Sequence, residues 1–71
     1  MRQKYRLVKA VGVSAERHAP PLRYAIAGAR SSVDLADLAA EVGADFVFVN
    51  PTVYAFSFGN LDFLEIEKEE P

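Results

Sequence analysis

The sequence predicts a small α+β domain: a mixed β-sheet of about five strands with one amphipathic helix on one face, in the order β-β-α-β-β-β. Three observations predict it. Apolar and charged residues alternate near the start of the chain, one helical stripe stands near the middle, and two β-prone runs flank Gly59-Asn60 near the end. With 71 residues and a mass of 7.8 kDa, the chain has room for a single domain, residues 1–71. The acidic stretch 65–71 reads as a tail that frays.

The first strand is expected over Gln3 to Val13, with Tyr5, Leu7, Val11 and Val13 on one face and Lys4 and Arg6 on the other. Lys9 falls on the apolar face, which calls for a bulge or an edge position near Val8 and Lys9. Ser14 to Pro21 reads as a loop, because Pro20 and Pro21 lack backbone donors and force extended backbone at Ala19. A second strand is expected over Leu22 to Ala27.

After Gly28, Ser31 and Asp34 have the spacing of a capping box, with aspartate in the place of the better glutamate. Leu35, Leu38, Ala39 and Val42 then form a helical stripe, and Gly43 stands where a left-handed C-terminal cap is needed. Phe46 to Val49 is continuously apolar, the pattern of a strand covered on both faces, so the segment from Leu22 to Val49 is expected to form a βαβ step. Gly59-Asn60 predicts a two-residue hairpin turn between Thr52–Phe58 and Leu61–Glu67. That turn sets Phe58 opposite Leu61, Phe56 opposite Phe63 and Tyr54 opposite Glu65, leaving both faces of the ribbon apolar.

Charge is sorted by half. Residues 1–30 hold seven basic residues against Glu16 alone, a net of +6, and residues 31–71 hold Lys68 alone against nine acids, a net of −8. The sorting predicts a basic first strand lying near an acidic last one, with Lys4 and Arg6 close to Glu65 and Glu67, an arrangement that sets register more than stability. Without cysteine there is no disulfide, and a single histidine with no thiol cannot assemble a nitrogen–sulfur zinc site, so no metal and no cofactor are expected. Oligomerisation is the remaining way to stabilise so small a core. No apolar run is long enough to span a bilayer, which excludes a membrane partner on this reading and predicts a cytoplasmic protein. The scarcity of Asn, Gln, Cys and Met beside abundant Arg and Glu is of the kind reported for hyperthermophile proteins.

The functional expectation is a non-enzymatic, homo-oligomeric protein–protein interaction module. Its candidate interface is Tyr54, Phe56, Phe58 and Phe63, which share one face in the predicted hairpin. These aromatics are a poor base-stacking surface, because Asp62, Glu65 and Glu67 beside them repel phosphate. A first alternative is a nucleic-acid-binding regulator that uses Arg2, Lys4, Arg6 and Lys9. A net charge of −2 argues against the broad basic field such binding draws on. A second alternative is an anion- or phosphate-binding turn at Gly28, Arg30, Ser31 and Ser32, although neither a Walker loop nor a dinucleotide fingerprint is present.

Leu35 to Gly43 resembles the first helix and turn of a helix-turn-helix unit over nine residues, and the resemblance ends at Phe46-Val47-Phe48-Val49 and Pro51, which block a recognition helix. Ala39 to Pro51 is similar to one helix-to-strand step of a phosphate-binding β/α barrel, which in whole needs about 250 residues. Neither resemblance implies an activity. His18 stands in the expected loop with Ser14 before it and Tyr24 after it, a set whose spacing does not make a triad. Asp34, Asp37 and Glu41 form an acidic helical stripe without the glycine-bearing loop of a calcium site.

Overall fold

Residues 3–69 are described by the computed structural model of the protein. Its elements are β1 (Lys4–Val11), α1 (Val13–Gly28), α2 (Ser32–Val42), β2 (Asp45–Asn50), β3 (Val53–Gly59) and β4 (Asp62–Glu69). The strands form one sheet in the order β1-β4-β3-β2, and every neighbouring pair is antiparallel. The fold is thus α+β, but the expected mixed five-strand sheet with one helix and a βαβ step is corrected to four antiparallel strands and two helices, β-α-α-β-β-β.

The largest correction is α1, which occupies both the expected loop Ser14–Pro21 and the expected strand Leu22–Ala27. Ala15, Ala19, Leu22 and Ile26 recur at helical spacing on one face, and all four are buried. Tyr24, which a strand reading pairs with Leu22 and Ile26, is instead 81% exposed. Pro20 and Pro21 lie inside the helix and remove the hydrogen bonds to the carbonyls of Glu16 and Arg17, both exposed residues where water can replace them. Burial of the small-residue stripe outweighs the propensity cost of the prolines.

Both helices have built ends. Gly12, at φ 98°, precedes α1, and the Ser14 N–H donates to Asp62 Oδ2 at 3.1 Å, so a carboxylate from the far end of the chain caps the helix. A Cβ at Gly12 would run into the Asp62 carboxyl group. In α2 the Ser31 Oγ accepts from the Asp34 N–H at 3.4 Å, and Asp34 Oδ2 accepts from the Arg30 N–H at 2.9 Å. Gly43, at φ 77°, ends the helix in a Schellman turn, with Gly43 N–H donating to the Ala40 carbonyl and Ala44 N–H to that of Ala39.

The C-terminal hairpin exists, but its turn is displaced by one residue. Gly59 pairs with Asp62, so the turn residues are Asn60 and Leu61, both left-handed at φ 52° and 68°. A bulge between Ser57 and Gly59 then shifts the register, so Phe56 is opposite Leu64 and Tyr54 opposite Ile66, in place of the expected Phe63 and Glu65. A slip of one residue exchanges the faces of a strand, so Leu64 and Ile66 turn toward the helices while Phe63 and Glu65 turn away. The expectation of two apolar ribbon faces is corrected accordingly: one face is the core and the other is largely polar.

The core lies between that face and the helices, with Phe56, Leu64 and Ile66 of the sheet fully buried against Ile26 of α1 and Leu35 of α2. Tyr5 and Leu7 extend it onto β1. The bulge near Val8 is present: register passes from Leu7 opposite Ile66 to Lys9 opposite Glu65, which returns Lys9 to the polar face. Glu65 to Glu69 belong to β4 and pair with β1, while residues 70 and 71 lie outside the described residues.

Two substitutions test the strained positions. Gly12→Ala forces a side chain into left-handed backbone and displaces the Asp62 cap, and is expected to lower unfolding free energy in urea by about 1–3 kcal/mol. Leu61→Gly, which relieves positive φ at an exposed position, is expected to raise it by roughly 0.5–1 kcal/mol. An unchanged urea midpoint in either variant would contradict the turn geometry.

Candidate functional site

The candidate interface aromatics divide between environments. Tyr54 and Phe56 are buried beneath the helices, at 7% and 0% exposure. Phe58 is half-buried and stacks on His18 with ring centroids 5.0 Å apart, and Phe63 is half-buried on the opposite face under the Lys9 ammonium, 5.9 Å from the ring centroid. Only Phe63 of the four lies on the uncovered side of the sheet.

The exposed apolar surface lies instead on β2. This strand was expected to be covered on both faces, but it forms one edge of the sheet, with Val47, Phe48 and Val49 exposed at 40%, 66% and 57%. Phe48 leans on Phe46 and Tyr54, with centroids at 5.2 and 5.3 Å, so an aromatic row runs from the core out to the free edge. On the uncovered face Val47 lies opposite Ala55, with Glu65 next across the sheet. The four apolar residues Phe46 to Val49 are a legible signal of burial; whether their own chain supplies it depends on strand order, which periodicity does not encode.

The candidate nucleic-acid residues lie on or before β1. Arg2 is outside the described residues, and Lys4, Arg6 and Lys9 point to the uncovered face opposite the acids of β4. Arg6 bonds Glu67 at 2.7 Å and Glu69 at 3.3 Å, and Lys9 is 3.9 Å from Glu65. The hydrogen bond to Glu67, with the charges of both glutamates, pushes the Arg6 guanidinium further above its ordinary range. A nucleic-acid backbone placed on this face would meet the carboxylates that already hold Arg6 and Lys9, and no observation favours it.

The turn from Gly28 to Ser32 joins α1 to α2. The N-terminus of α2 holds an internal anion, the Asp34 carboxylate, and Ser31 is its cap, while Ser32 is the first residue of the helix. Gly28 and Arg30 face a different feature, a cleft of about 560 Å3 between the start of β1 and the end of α1. Lys4, Arg6, Arg23 and Arg30 line it, with Glu69, Gln3 and Tyr5. The candidate anion-binding turn and the candidate basic strand, separate in the sequence, thus meet in one place. Arg23 was missed because it was assigned to a strand; in a helix it stands one turn before Ala27, another residue of the same wall.

His18 is in α1, where its Nδ1 donates to the Ser14 carbonyl at 2.8 Å. Asp34 is engaged in capping while Asp37 and Glu41 are exposed, and among the described residues no three His, Asp or Glu side chains gather as a metal site. No helix among them is long and apolar enough to cross a membrane. Comparison of the chain with known protein families, with characterised proteins and with solved structures finds no match.

Tyr5 forms the apolar back of the cleft and packs edge-on against Tyr54 at 5.8 Å. Burial, with smaller contributions from Tyr54 and Asp34, pushes its phenol above the ordinary 10.0. Folding therefore favours the protonated phenol, and that contribution is complete below the unfolded value and lost as pH rises through the folded one. Unfolding free energy is expected to fall as pH rises through the ordinary tyrosine range and beyond it, and to fall less in Tyr5→Phe. Equal pH slopes for the two proteins would contradict the burial of this hydroxyl.

Proposed function

We propose that the protein is a self-associating interaction module in which two copies pair through the free edges of their β2 strands. The observation that carries this reading is the edge itself. Natural sheet edges are blunted by charge, proline or a bulge. The β1 edge has charge and a mid-strand bulge, in Lys4, Arg6, Lys9 and Val8, whereas β2 carries no charge from Phe46 to Val49 and its bulge falls only near its end, between Phe48 and Asn50.

The pattern suits a second copy of this chain. A two-fold axis perpendicular to the sheet at Val47 sets Val47 opposite its counterpart and each Phe46 opposite the other copy's Phe48, so equivalent faces stay aligned. The aromatic row of Phe46, Phe48 and Tyr54 then continues across the junction. Each Asp45 falls at an opposite end of the paired strands, so no like charges face each other. The joined sheet has eight strands and leaves both β1 strands at its outer edges.

Light scattering tests it. The expected molar mass is twice 7.8 kDa, and it should hold from low to high salt because the contact is apolar. Val47→Lys places an edge lysine on the exposed side of β2 and is expected to give a monomer with an unchanged circular dichroism spectrum. A monomeric parent protein at about millimolar concentration, or a folded Val47→Lys protein that keeps the doubled mass, would overturn the reading.

A further inference from the structure

We propose that the cleft between β1 and the end of α1 binds a small phosphorylated ligand that also carries hydroxyl groups, of the size of a sugar phosphate or nucleotide. The inference does not depend on self-association. It rests on three features of one place. The volume, about 560 Å3, lies within the range of small-ligand sites. The walls bring together Lys4, Arg6, Arg23 and Arg30, half of the eight basic residues in a chain whose net charge is −2. Gln3 Oε1, on the same wall, is buried without a hydrogen-bond partner among the described residues.

The charge balance favours an anion. Among the described residues Glu69 is the only acid on the walls, and it bonds Arg6, as Glu67 does from outside the cleft. These two carboxylates hold the Arg6 guanidinium in place. Among the described residues Lys4, Arg23 and Arg30 have no ion-pair partner. The carbonyl end of α1 adds only partial negative charge to the same wall. Cations without ion-pair partners on the walls of one cleft favour an anion there, and a phosphate takes forked hydrogen bonds from arginine. The buried amide oxygen of Gln3 needs a donor, which a sugar hydroxyl supplies while the phosphate oxygens accept from the arginines. Tyr5 supplies an apolar floor.

Isothermal titration with inorganic phosphate, ribose 5-phosphate and ADP is the test, carried out on the parent protein and on Arg23→Gln/Arg30→Gln. Both arginine side chains are exposed, and Arg30 bonds Asp34 through its backbone, so the variant keeps the fold. Ribose 5-phosphate or ADP is expected to bind at least about tenfold more tightly than phosphate, and the double variant to lose roughly tenfold or more of that affinity. Failure of both organic phosphates to bind at about millimolar concentration, or undiminished binding by the variant, would overturn the site. Phosphate binding as tightly as ribose 5-phosphate would overturn the role given to Gln3 and the hydroxyl-bearing class. Binding of a single-stranded RNA oligonucleotide while neither small ligand binds would also overturn the proposal. Because these titrations read the cleft and not the mass, a monomer that binds ADP would separate this site from the β2 edge.

Discussion

The pairing of β1 with β4 is the contact on which the rest of the fold depends. It joins Arg6 to Glu67 across 61 residues of sequence and brings the basic first strand against the acidic last one. Opposite charges on the outer face select this pairing and its direction, while Tyr5, Leu7, Leu64 and Ile66 on the inner face supply the burial that makes it favourable. Exposed ion pairs alone stabilise little. Their contribution here is register, since a shift of β1 by one residue would turn Leu7 outward and Arg6 inward.

Once β1 lies beside β4, the path of the chain follows. β1 and β2 are the two edges of the sheet, so the segment between them has to cross its full width, and the two helices make that crossing over one face. Sixteen residues of α1 span about 24 Å at 1.5 Å each, enough to run alongside a strand and carry the stripe of Ala15, Ala19, Leu22 and Ile26 over β1 and β4. The small alanines let the helix approach the sheet closely. The Asp62 carboxylate, at the start of β4, then meets the N-terminus of α1, so helix and hairpin turn fix one another. Gly12 has no Cβ because that meeting leaves no space for one.

The parts legible in the sequence are those fixed by local chemistry. The α2 helix, with Ser31, Asp34 and Gly43 at its ends, is written in caps and period, and the charge sorting foretold the β1–β4 contact. The parts that were not legible depend on competition or on order. In α1, two prolines are a strong local signal for a break, and only the spacing of Ala15 and Ala19, small residues that weigh little in a hydrophobicity pattern, argues against it. In the hairpin, Gly59-Asn60 and Asn60-Leu61 are adjacent possible turns, but either alone keeps Phe63 and Glu65 on the face of Phe56; the bulge between Ser57 and Gly59 turns Leu64 and Ile66 inward instead, and no local sequence signal marks it. The cleft was half visible: Arg30 and Gly28 were singled out as one feature and Lys4 and Arg6 as another, but Arg23 could join them only after its segment is recognised as helical.

The two proposed sites occupy opposite edges of the molecule, and the sheet order explains why both can operate together. The cleft opens beside β1, and the self-pairing surface is β2, with β4 and β3 between them. The uncovered face follows the same gradient, with ion pairs of Arg6 and Lys9 toward β1 and the valines Val47 and Val53 toward β2. In a dimer joined at β2 the apolar ends meet and the charged ends point outward, which places the two clefts at the far rims. Such an assembly would add buried surface to a 71-residue chain that has no cysteine, and would do so along the uncharged run Phe46 to Val49. The charged edge, held by its own ion pairs and blunted by the bulge at Val8, would end the sheet of such a pair and oppose growth into a filament.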